Sequence, residues 1–210
     1  MRTRVKICGI TNPGDAALAV EAGADALGVV LAPSTRQLSI AEAARALADV
    51  PPLIARVGVF VNADPAFVAE AIERIGLTAV QFHGDETPEH CAECAVPVIK
   101  AFGVGTEFAL ASVEPFRGSV AALLLDKHDA AKRGGTGHTF DWQLLTRKRP
   151  GGVPFLLAGG LDPLNVFEAI RTVRPFAVDV SSGVEERPGC KDPHKLTAFM
   201  AAVRAADQEG

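Results

Sequence analysis

Short apolar runs recur along the whole chain, separated by segments with the periodicity of amphipathic helices. Several runs, such as 27–31, are apolar without alternation, as expected for parallel strands that are buried on both faces. Strand followed by helix, repeated along the chain, predicts a closed (β/α)8 TIM barrel that forms a single domain over residues 1–210. The predicted strands are Val5–Cys8, Ala26–Leu31, Arg56–Val61, Ala79–His83, Val96–Ala101, Ala121–Asp126, Phe155–Ala158 and Ala177–Val180.

Turn residues mark where the predicted helices begin and end. Ser39 followed by Glu42 has the pattern of a capping box at a helix N-terminus. Gly23 and Gly76 fall where helices are expected to end, because glycine readily adopts the left-handed conformation of a C-terminal cap. Three further helices are predicted to begin at an aspartate that precedes a proline: Asp64-Pro65, Asp162-Pro163 and Asp192-Pro193.

A doubly wound open sheet is the competing architecture. It would usually place a G-x-G-x-x-G motif directly after the first strand, where this chain has residues 8–12, Cys-Gly-Ile-Thr-Asn. The chain also carries extra residues, 32–38 and 127–138, after two of the predicted strands. In a barrel these loops lie on the C-terminal face, where active sites form, so their length favours the barrel and a function at that face.

Composition and charge narrow the class of protein. The chain has 21 Lys+Arg and 25 Asp+Glu residues, a formal net charge of -4, which gives no electrostatic footprint for nucleic acid. No run approaches the ~18 consecutive apolar residues of a membrane span. The first residues run almost directly into a predicted strand, which leaves no room for a signal peptide. We therefore predict a soluble, cytoplasmic protein without nucleic-acid or membrane partners.

The four cysteines include one C-x-x-C pair, Cys91 and Cys94. Such a pair can be half of a zinc site or a redox centre. Here it lies in a helix-like segment, no second pair of ligands has zinc-finger spacing, and two thiols three residues apart share one helix face. We interpret both as structural cysteines and expect no metal site.

The ends of the predicted strands carry the candidate catalytic groups. Cys8, His83 and Asp126 end strands one, four and six, and Asp179 lies near the end of strand eight. In a barrel these side chains project into one mouth, where a thiol and a carboxyl group could divide a proton transfer between a base and an acid. A buried spacer at Cys8 and a loop-capping role for Asp126 are the alternatives.

Two glycine-containing loops follow the last two strands. Gly159 and Gly160 come after strand seven, and Ser181, Ser182 and Gly183 come after strand eight. These loops usually form the phosphate site of a barrel, because glycine lets backbone N–H groups approach an anion. A tight turn before a helix would explain the first loop alone, but both expected loops carry the signal.

Two longer loops add candidate binding residues. Arg36, in the loop after strand two, could hold a carboxylate through two parallel hydrogen bonds, although a lone loop arginine is often a solvated surface charge. The stretch 132–137, which contains Gly135, could close over a ligand beside Asp126, or could be a solvated linker.

Taken together, the motifs resemble phosphoribosylanthranilate isomerase, a barrel enzyme of tryptophan biosynthesis. The K-I-C-G-I-T stretch at 6–11 and the D-V-S-S-G-V-E stretch at 179–185 are a specific combination, and the resemblance extends in order from residue 5 to residue 192. Between these ends the matching stretches are 58–62, 80–86, 134–137 with 140–142, and 157–166. The loop after strand two departs from the family pattern at Leu31, Thr35 and Gln37, but its arginine is present.

The resemblance implies an Amadori rearrangement, an aldose–ketose isomerisation of N-(5-phosphoribosyl)anthranilate without a metal or an organic cofactor. It assigns the general base to Cys8, the general acid to Asp126 and the substrate carboxylate to Arg36. We expect a lowered pKa for the thiol and a raised pKa for the carboxyl group. The remaining substrate-binding residues that it implies are His83, as a supporting residue, with Gly135, Gly159, Gly160, Asp179, Ser181, Ser182 and Gly183.

Three points stay open at this level. The protein could be a monomer or a homodimer. A phosphosugar-binding barrel without catalytic activity would have lost the acid–base pair, which this chain keeps. A metal-dependent phosphosugar epimerase would need histidine and aspartate ligands at several strand ends, where only His83 fits.

Overall fold

The computed structural model describes residues 2–105, 109–127, 142, 145–146 and 151–209. Eight parallel strands form a closed barrel in chain order, because β1 pairs with both β2 and β8. The predicted (β/α)8 fold is confirmed, and the open sheet is excluded. The strands are β1 (Arg4–Cys8), β2 (Ala26–Val30), β3 (Ala55–Phe60), β4 (Ala79–Phe82), β5 (Val98–Val104), β6 (Ala122–Lys127), β7 (Phe155–Leu157) and β8 (Ala177–Val180).

Helices lie between most of the described strands, and most predicted caps are confirmed. Ser39 and Glu42 form the capping box, and Gly23 and Gly76 end their helices with φ of 101° and 69°. The carboxylate of Asp64 accepts a hydrogen bond from the first turn of its helix. The described helices are α1 (Pro13–Ala22), α2 (Ile40–Ala46), α3 (Pro65–Ile75), α4 (Pro88–Ala92), α5 (Val166–Val173) and α6 (Pro193–Gln208), with Asp192 capping the last.

One predicted helix start is wrong. The helix after β7 begins at Val166, not at the Asp162-Pro163 pair. The Asp162 carboxylate accepts hydrogen bonds from the backbone N–H groups of Leu164 (2.7 Å) and Asn165 (3.1 Å). Because the aspartate satisfies these donors locally, the segment forms a separate turn, and the helix starts after it.

A short antiparallel hairpin after β8 is an element that the sequence did not predict. Its strands are β9 (Glu185–Arg187) and β10 (Cys190–Lys191), joined through Gly189 at φ 78°. The pairing sets Lys191 opposite Glu185. The hairpin therefore places two charged residues together at the edge of the barrel mouth.

The apolar core has two layers. A large cluster fills the space between the strands and the helices and includes Ile7, Leu125 and Val178. A second cluster of mostly small side chains lines the inside of the barrel. Because side chains alternate across a strand, the polar residues that share the parity of this inner cluster also face inward. The inner cluster consists of Ala101, Ala122, Leu124, Leu156, Ala158 and Ala177.

The C-x-x-C pair is part of the packing. Cys91 in α4 is 2% exposed and belongs to the core, Cys94 packs against the same core, and both are free thiols. Burial raises the pKa of Cys91 to about 11, so this thiol stays protonated and unreactive. The structural interpretation is confirmed. Across the described residues, no helix combines the length and the apolar character needed to cross a membrane.

Candidate active site

Four of the predicted site residues meet at the C-terminal end of the barrel. Cys8 ends β1, Asp126 is the second-to-last residue of β6, Asp179 lies in β8 and His83 follows β4 directly. Asp126 and Asp179 have the parity of the inner cluster residues on their own strands. Cys8 has the opposite parity to Val5 and Ile7, which pack in the outer core. The structure therefore places these four residues at the mouth of the barrel, as the sequence predicted, and their chemical roles stay a prediction.

The Cys8 thiol is almost fully withdrawn from water, with 8% exposure. Burial raises the pKa of Cys8, and the neighbouring Lys6 ammonium opposes this only in part, while the Asp179 carboxylate raises it further. The lowered pKa that we expected is therefore wrong for the free protein. Removing water destabilises the thiolate more than the nearby cations stabilise it.

Asp126 shows the shift expected of a general acid. Burial raises the pKa of Asp126, and the charge of Asp179 adds to this, whereas the His83 imidazole and the Lys6 ammonium lower it. The Nε2 atom of His83 lies 3.6 Å from Oδ2 of Asp126. The predicted raised pKa is confirmed, and the same Lys6–Asp179 charges that act on Asp126 also act on Cys8.

A buried amide supports His83 from below. The Nε2 atom of Gln81 lies 3.3 Å from Nδ1 of His83, and Gln81 is 2% exposed. When Gln81 donates this hydrogen bond, the neutral imidazole carries its proton on Nε2, the atom that faces Asp126. This geometry fits the predicted supporting role of His83.

The Arg36 side chain is fixed by the hairpin. Its Nε and Nη2 atoms donate to the two carboxylate oxygens of Glu185, at 2.8 and 2.5 Å. Glu185 in turn accepts from Nζ of Lys191 at 2.8 Å, and Lys191 also donates to the backbone oxygens of Cys8 and Ser181. Since a guanidinium has five N–H donors, three of those of Arg36 remain for a ligand.

Close packing brings the loops after β1, β2 and β8 together. Gly9 has φ +74°, and a Cβ there would lie 2.5 Å from Cδ of Arg36 and 2.8 Å from Oγ of Ser181. Only glycine fits between these two side chains. The predicted binding residues Arg36 and Ser181 thus both lie close to the backbone that follows Cys8.

The two glycine loops also pack directly on one another. A Cβ at Gly183 would lie 1.9 Å from the backbone oxygen of Leu161, so the loops after β7 and β8 touch through their backbones. Gly160 has φ +75°, and the space where its Cβ would lie is empty. Within the described part of the chain, the backbone N–H groups of Gly160, Ser182 and Gly183 have no hydrogen-bond partner. The arrangement is suited to an anion.

The remaining predicted site residues are accounted for as follows. Gly159 adjoins Asp126, because a Cβ there would lie 3.0 Å from Oδ1 of that residue. The Oδ1 atom of Asp179 accepts a hydrogen bond from Nζ of Lys6 at 2.7 Å, so contact between Asp179 and the substrate stays a prediction. Gly135, with the loop 132–137, lies outside the described residues.

Three site residues were missed by the sequence analysis. Lys6 is 1% exposed inside the barrel, and Glu185 and Lys191 form the buried charge network under Arg36. The signal for Lys6 was present, since it shares the parity of Cys8 while its neighbours Val5 and Ile7 are apolar. No local pattern connects Glu185 with Arg36, which are 149 positions apart.

A separate cavity of about 740 Å³ lies at the opposite end of the barrel. Its wall includes Thr3, Phe155 and Phe176, which come just before or at the start of β1, β7 and β8. Barrel enzymes use the C-terminal face for catalysis, and Cys8 and Asp126 are not part of this wall. This cavity is therefore separate from the candidate active site.

Comparisons with known proteins agree with this geometry. Residues 5–202 match the family model of N-(5'-phosphoribosyl)anthranilate isomerase. The enzyme of that name from Geobacter sulfurreducens is 50% identical over 202 residues, covering 96% of this chain and 98% of its own. The crystal structure of phosphoribosyl anthranilate isomerase from Thermotoga maritima superimposes with a TM-score of 0.90 at 44% identity, covering 97% of this chain and 99% of that one.

A further crystal structure of this enzyme contains a ligand. It is a complex with reduced 1-(o-carboxyphenylamino)-1-deoxyribulose 5-phosphate, and it superimposes with a TM-score of 0.86 at 42% identity, covering 97% of this chain and 99% of that one. The family match covers nearly every described element of the barrel, including β1 and the loops after β7 and β8. This chain therefore belongs to the phosphoribosylanthranilate isomerase family.

Proposed function

We propose that this protein converts N-(5-phosphoribosyl)anthranilate to 1-(2-carboxyphenylamino)-1-deoxyribulose 5-phosphate, with Cys8 as general base and Asp126 as general acid. The observation that carries the proposal is the meeting of the two groups at one barrel mouth. Both lie close enough to the Lys6–Asp179 pair for its charges to act on their pKa values. Family membership supports the same activity.

Ring opening is the task of Asp126 in this proposal. The protonated carboxyl group donates to the furanose ring oxygen, the C1–O bond breaks, and the anilino nitrogen forms a Schiff base with C1. Burial raises the pKa of Asp126, which keeps more of this group protonated than in water. A Nε2–H of His83 would then stabilise the carboxylate that remains.

Proton removal is the task of Cys8. The thiolate takes the proton from C2 of the Schiff base, and the electron pair of that C–H bond gives an enolamine, which tautomerises to the ketose. Because burial raises the pKa of Cys8, the thiolate is a minor form near neutral pH, yet it is a stronger base when it forms.

The two ends of the substrate carry charges that match the rest of the site. We assign the anthranilate carboxylate to the N–H donors of Arg36 that Glu185 leaves unused. We assign the phosphate to the backbone N–H groups of Gly160, Ser182 and Gly183, at the loops where phosphate binds in many barrels. The distance between these two ends then fixes the sugar across the mouth.

The decisive assay follows the decay of anthranilate-type fluorescence after freshly prepared phosphoribosylanthranilate is added. Cys8→Ser and Asp126→Asn should each lower kcat by about 10²–10⁴-fold, the usual contribution of a positioned acid or base. Cys94→Ser and Asp49→Asn are matched controls, since Cys94 lies in the α4 region and Asp49 is exposed. If Cys8→Ser and Asp126→Asn both turn over this substrate at the wild-type rate, the acid–base assignment is refuted.

A chelator separates this proposal from the metal-dependent epimerase. Within the described residues, no group of three or more His, Cys, Asp or Glu side chains could hold a metal ion. The family resemblance implies an isomerisation that needs neither a metal nor an organic cofactor, so prolonged dialysis against chelator should leave its rate unchanged. A loss that added metal restores would favour the epimerase.

Three further properties belong to the proposal. The chain acts as one barrel domain over residues 1–210, as a monomer or a homodimer, in the cytoplasm. Light scattering of the purified protein at assay concentration would distinguish the two oligomeric states. Fractionation of cells that express the tagged full chain would test the localisation.

A further inference from the structure

Lys6 is a lysine in the interior of the barrel. It is 1% exposed, and its Nζ atom donates to Oδ1 of Asp179 at 2.7 Å. A buried ion pair is a poor source of stability, because well-packed apolar residues of similar volume are often equally stable or more stable. The rest of the inner cluster consists of alanines and leucines, so an apolar residue would suit this position. A charge here requires another explanation.

The position of Gly28 shows how close Lys6 lies to Cys8. A Cβ at Gly28 would lie 2.9 Å from Sγ of Cys8 and 3.1 Å from Nζ of Lys6. The thiol and the ammonium therefore border the same small space beside β2, and each acts on the pKa of the other. The cation faces the sulfur atom that must become negative.

We propose that Lys6 is a positioning residue for the reaction, whose ammonium, fixed by Asp179, faces Cys8 and stabilises the thiolate that removes the C2 proton. This inference rests on the proposed role of Cys8 as the base. Lys6 itself contacts neither substrate nor reacting carbon in this arrangement. It acts through the sulfur.

The other charged groups around Cys8 are already engaged. The Nζ atom of Lys191 is held by Glu185 and by the backbone oxygens of Cys8 and Ser181. Arg36 is held by Glu185. Asp179, from β8, is the anion that faces the thiol. Burial raises the pKa of Cys8 most, the Lys6 ammonium lowers it, and the Asp179 carboxylate raises it. Lys6 and Asp179 therefore act on the thiol with opposite signs.

This opposition gives a direct test. The ultraviolet absorbance of the thiolate is titrated against pH in the full-length protein, and the curve of Cys8→Ser is subtracted to isolate one thiol. Lys6→Met should lower the ionisation constant of Cys8 about tenfold or more, a rise of about one pKa unit. Asp179→Asn should change it in the opposite direction, because the ammonium then has only the thiolate as its anionic partner.

A lysine elsewhere in the barrel provides the matched control. Lys100 is 3% exposed and pairs with the buried Glu86 at 3.2 Å, but Lys100 is not among the groups that act on Cys8. Lys100→Met should leave the Cys8 titration unchanged. In the isomerase assay, Lys6→Met should lower kcat with little change in KM. It should also move the alkaline limb of the pH–rate profile to higher pH.

The outcomes separate the possible roles. If the ion pair is only structural, Lys6→Met and Asp179→Asn both loosen the barrel and shift the thiol pKa in the same direction, and the inference is overturned. An unchanged titration in Lys6→Met overturns it as well. If Lys6→Met does not fold because Asp179 is left unpaired, the double variant Lys6→Met/Asp179→Leu removes both charges. Its Cys8 pKa should lie above that of the wild type, because Lys6 acts on the thiol more strongly than Asp179 does.

Failure of the proposed function gives a different pattern. Full activity in Cys8→Ser would refute Cys8 as the base, while the opposite titration shifts in Lys6→Met and Asp179→Asn would still be observed. Loss of activity in Cys8→Ser without those shifts would leave the base in place and refute the role of Lys6.

Discussion

Glu185 holds the guanidinium of Arg36 through two hydrogen bonds, 2.8 Å at Nε and 2.5 Å at Nη2. Glu185 is 5% exposed, and Lys191 stabilises its carboxylate from the other side. Despite burial, the hydrogen bonds from Arg36 and Lys191 keep the pKa of Glu185 below its ordinary value, so the pair stays charged near neutral pH. The guanidinium is therefore already oriented for the substrate carboxylate that we assign to it, which reduces the entropy that binding would cost.

Arg36→Lys tests this orientation. A lysine keeps the charge but cannot donate to Glu185 and to a substrate carboxylate in the fork geometry of a guanidinium. Loss of one charge-assisted hydrogen bond, worth about 1.5–3 kcal/mol, should raise KM by about 10–150-fold and change kcat much less. Steady-state kinetics measure KM and kcat of Arg36→Lys. The control is Arg45→Lys, on the exposed face of α2. A fall in kcat at constant KM would place Arg36 in the chemical step instead.

The opposite roles that we propose for Asp126 and Cys8 predict the pH dependence of kcat/KM. The reactive form has Asp126 protonated and Cys8 ionised, and both pKa values are raised by burial. Its fraction is constant between the two pKa values. This fraction falls when the pH drops below the pKa of Asp126, because the thiolate becomes rarer while the carboxyl group is already protonated. It also falls when the pH rises above the pKa of Cys8, because the protonated acid becomes rarer while the thiol is already ionised.

Asp126→Asn should change the shape of this profile. With no carboxyl group to titrate, the residual rate should depend on the thiolate alone and rise about tenfold per pH unit until Cys8 ionises. The wild-type profile, measured in the same buffers, should be flat over that range. A flat profile for the variant would show that Asp126 is not the group responsible for the acid limb.

The barrel, and the placement of Cys8 and Asp126 at one of its faces, could be predicted from the sequence because both depend on local patterns. Apolar runs define the strands, and parallel strands of a barrel deliver their last residues to one face, so Cys8 and Asp126 could be identified without distant contacts. The helix start at Asp162 was wrong, because an aspartate followed by proline satisfies a turn as readily as a helix cap.

Other features required the closed structure. A lysine in a strand is ordinarily read as solvent-facing, so the parity that Lys6 shares with Cys8 indicates an interior charge only once the sheet is known to close on itself. The direction of the Cys8 pKa shift depends on burial, which the sequence pattern does not give. The pairing of Arg36 with Glu185 depends on a hairpin that follows β8 and has no signature near Arg36.

Gly28→Ala tests whether the thiol and the ammonium need the space beside β2. The added methyl group would lie 2.9 Å from Sγ of Cys8 and 3.1 Å from Nζ of Lys6, so at least one of them must move. We expect a loss of about 1–3 kcal/mol in the free energy of unfolding, as for other overpacked sites, and a fall in kcat of about tenfold or more.

The control for Gly28→Ala is Gly151→Ala. A Cβ at Gly151 would make only an ordinary contact, 3.7 Å from Nη2 of Arg117. Chemical denaturation and steady-state kinetics of the two variants should show normal behaviour for Gly151→Ala. Wild-type kcat in a correctly folded Gly28→Ala would mean that the close approach of the two groups has no role in the reaction.

The assignment of the phosphate to the last two loops can be tested at two glycines with different surroundings. At Gly160 the space for a Cβ is empty in the free protein, so the methyl group of Gly160→Ala would occupy the region where we place the anion. Its left-handed φ of +75° adds a strain of about 1–2 kcal/mol, and the main effect should be a rise in KM. Gly118→Ala has the same strain, with φ +89° and empty space, far along the chain from both loops, and should lose similar stability with unchanged KM.

Gly183→Ala should behave differently from Gly160→Ala. Its Cβ would lie 1.9 Å from the backbone oxygen of Leu161, so the loops after β7 and β8 must separate before the side chain fits. We therefore expect a loss of stability together with a rise in KM. Steady-state kinetics measure KM, and thermal unfolding with and without inorganic phosphate measures stability and phosphate binding. In the wild type, phosphate should raise the unfolding temperature, because a ligand that binds only the folded state stabilises it by mass action. That increase should be reduced in Gly160→Ala and in Gly183→Ala but kept in Gly118→Ala; an equal increase in all four proteins would place the anion elsewhere.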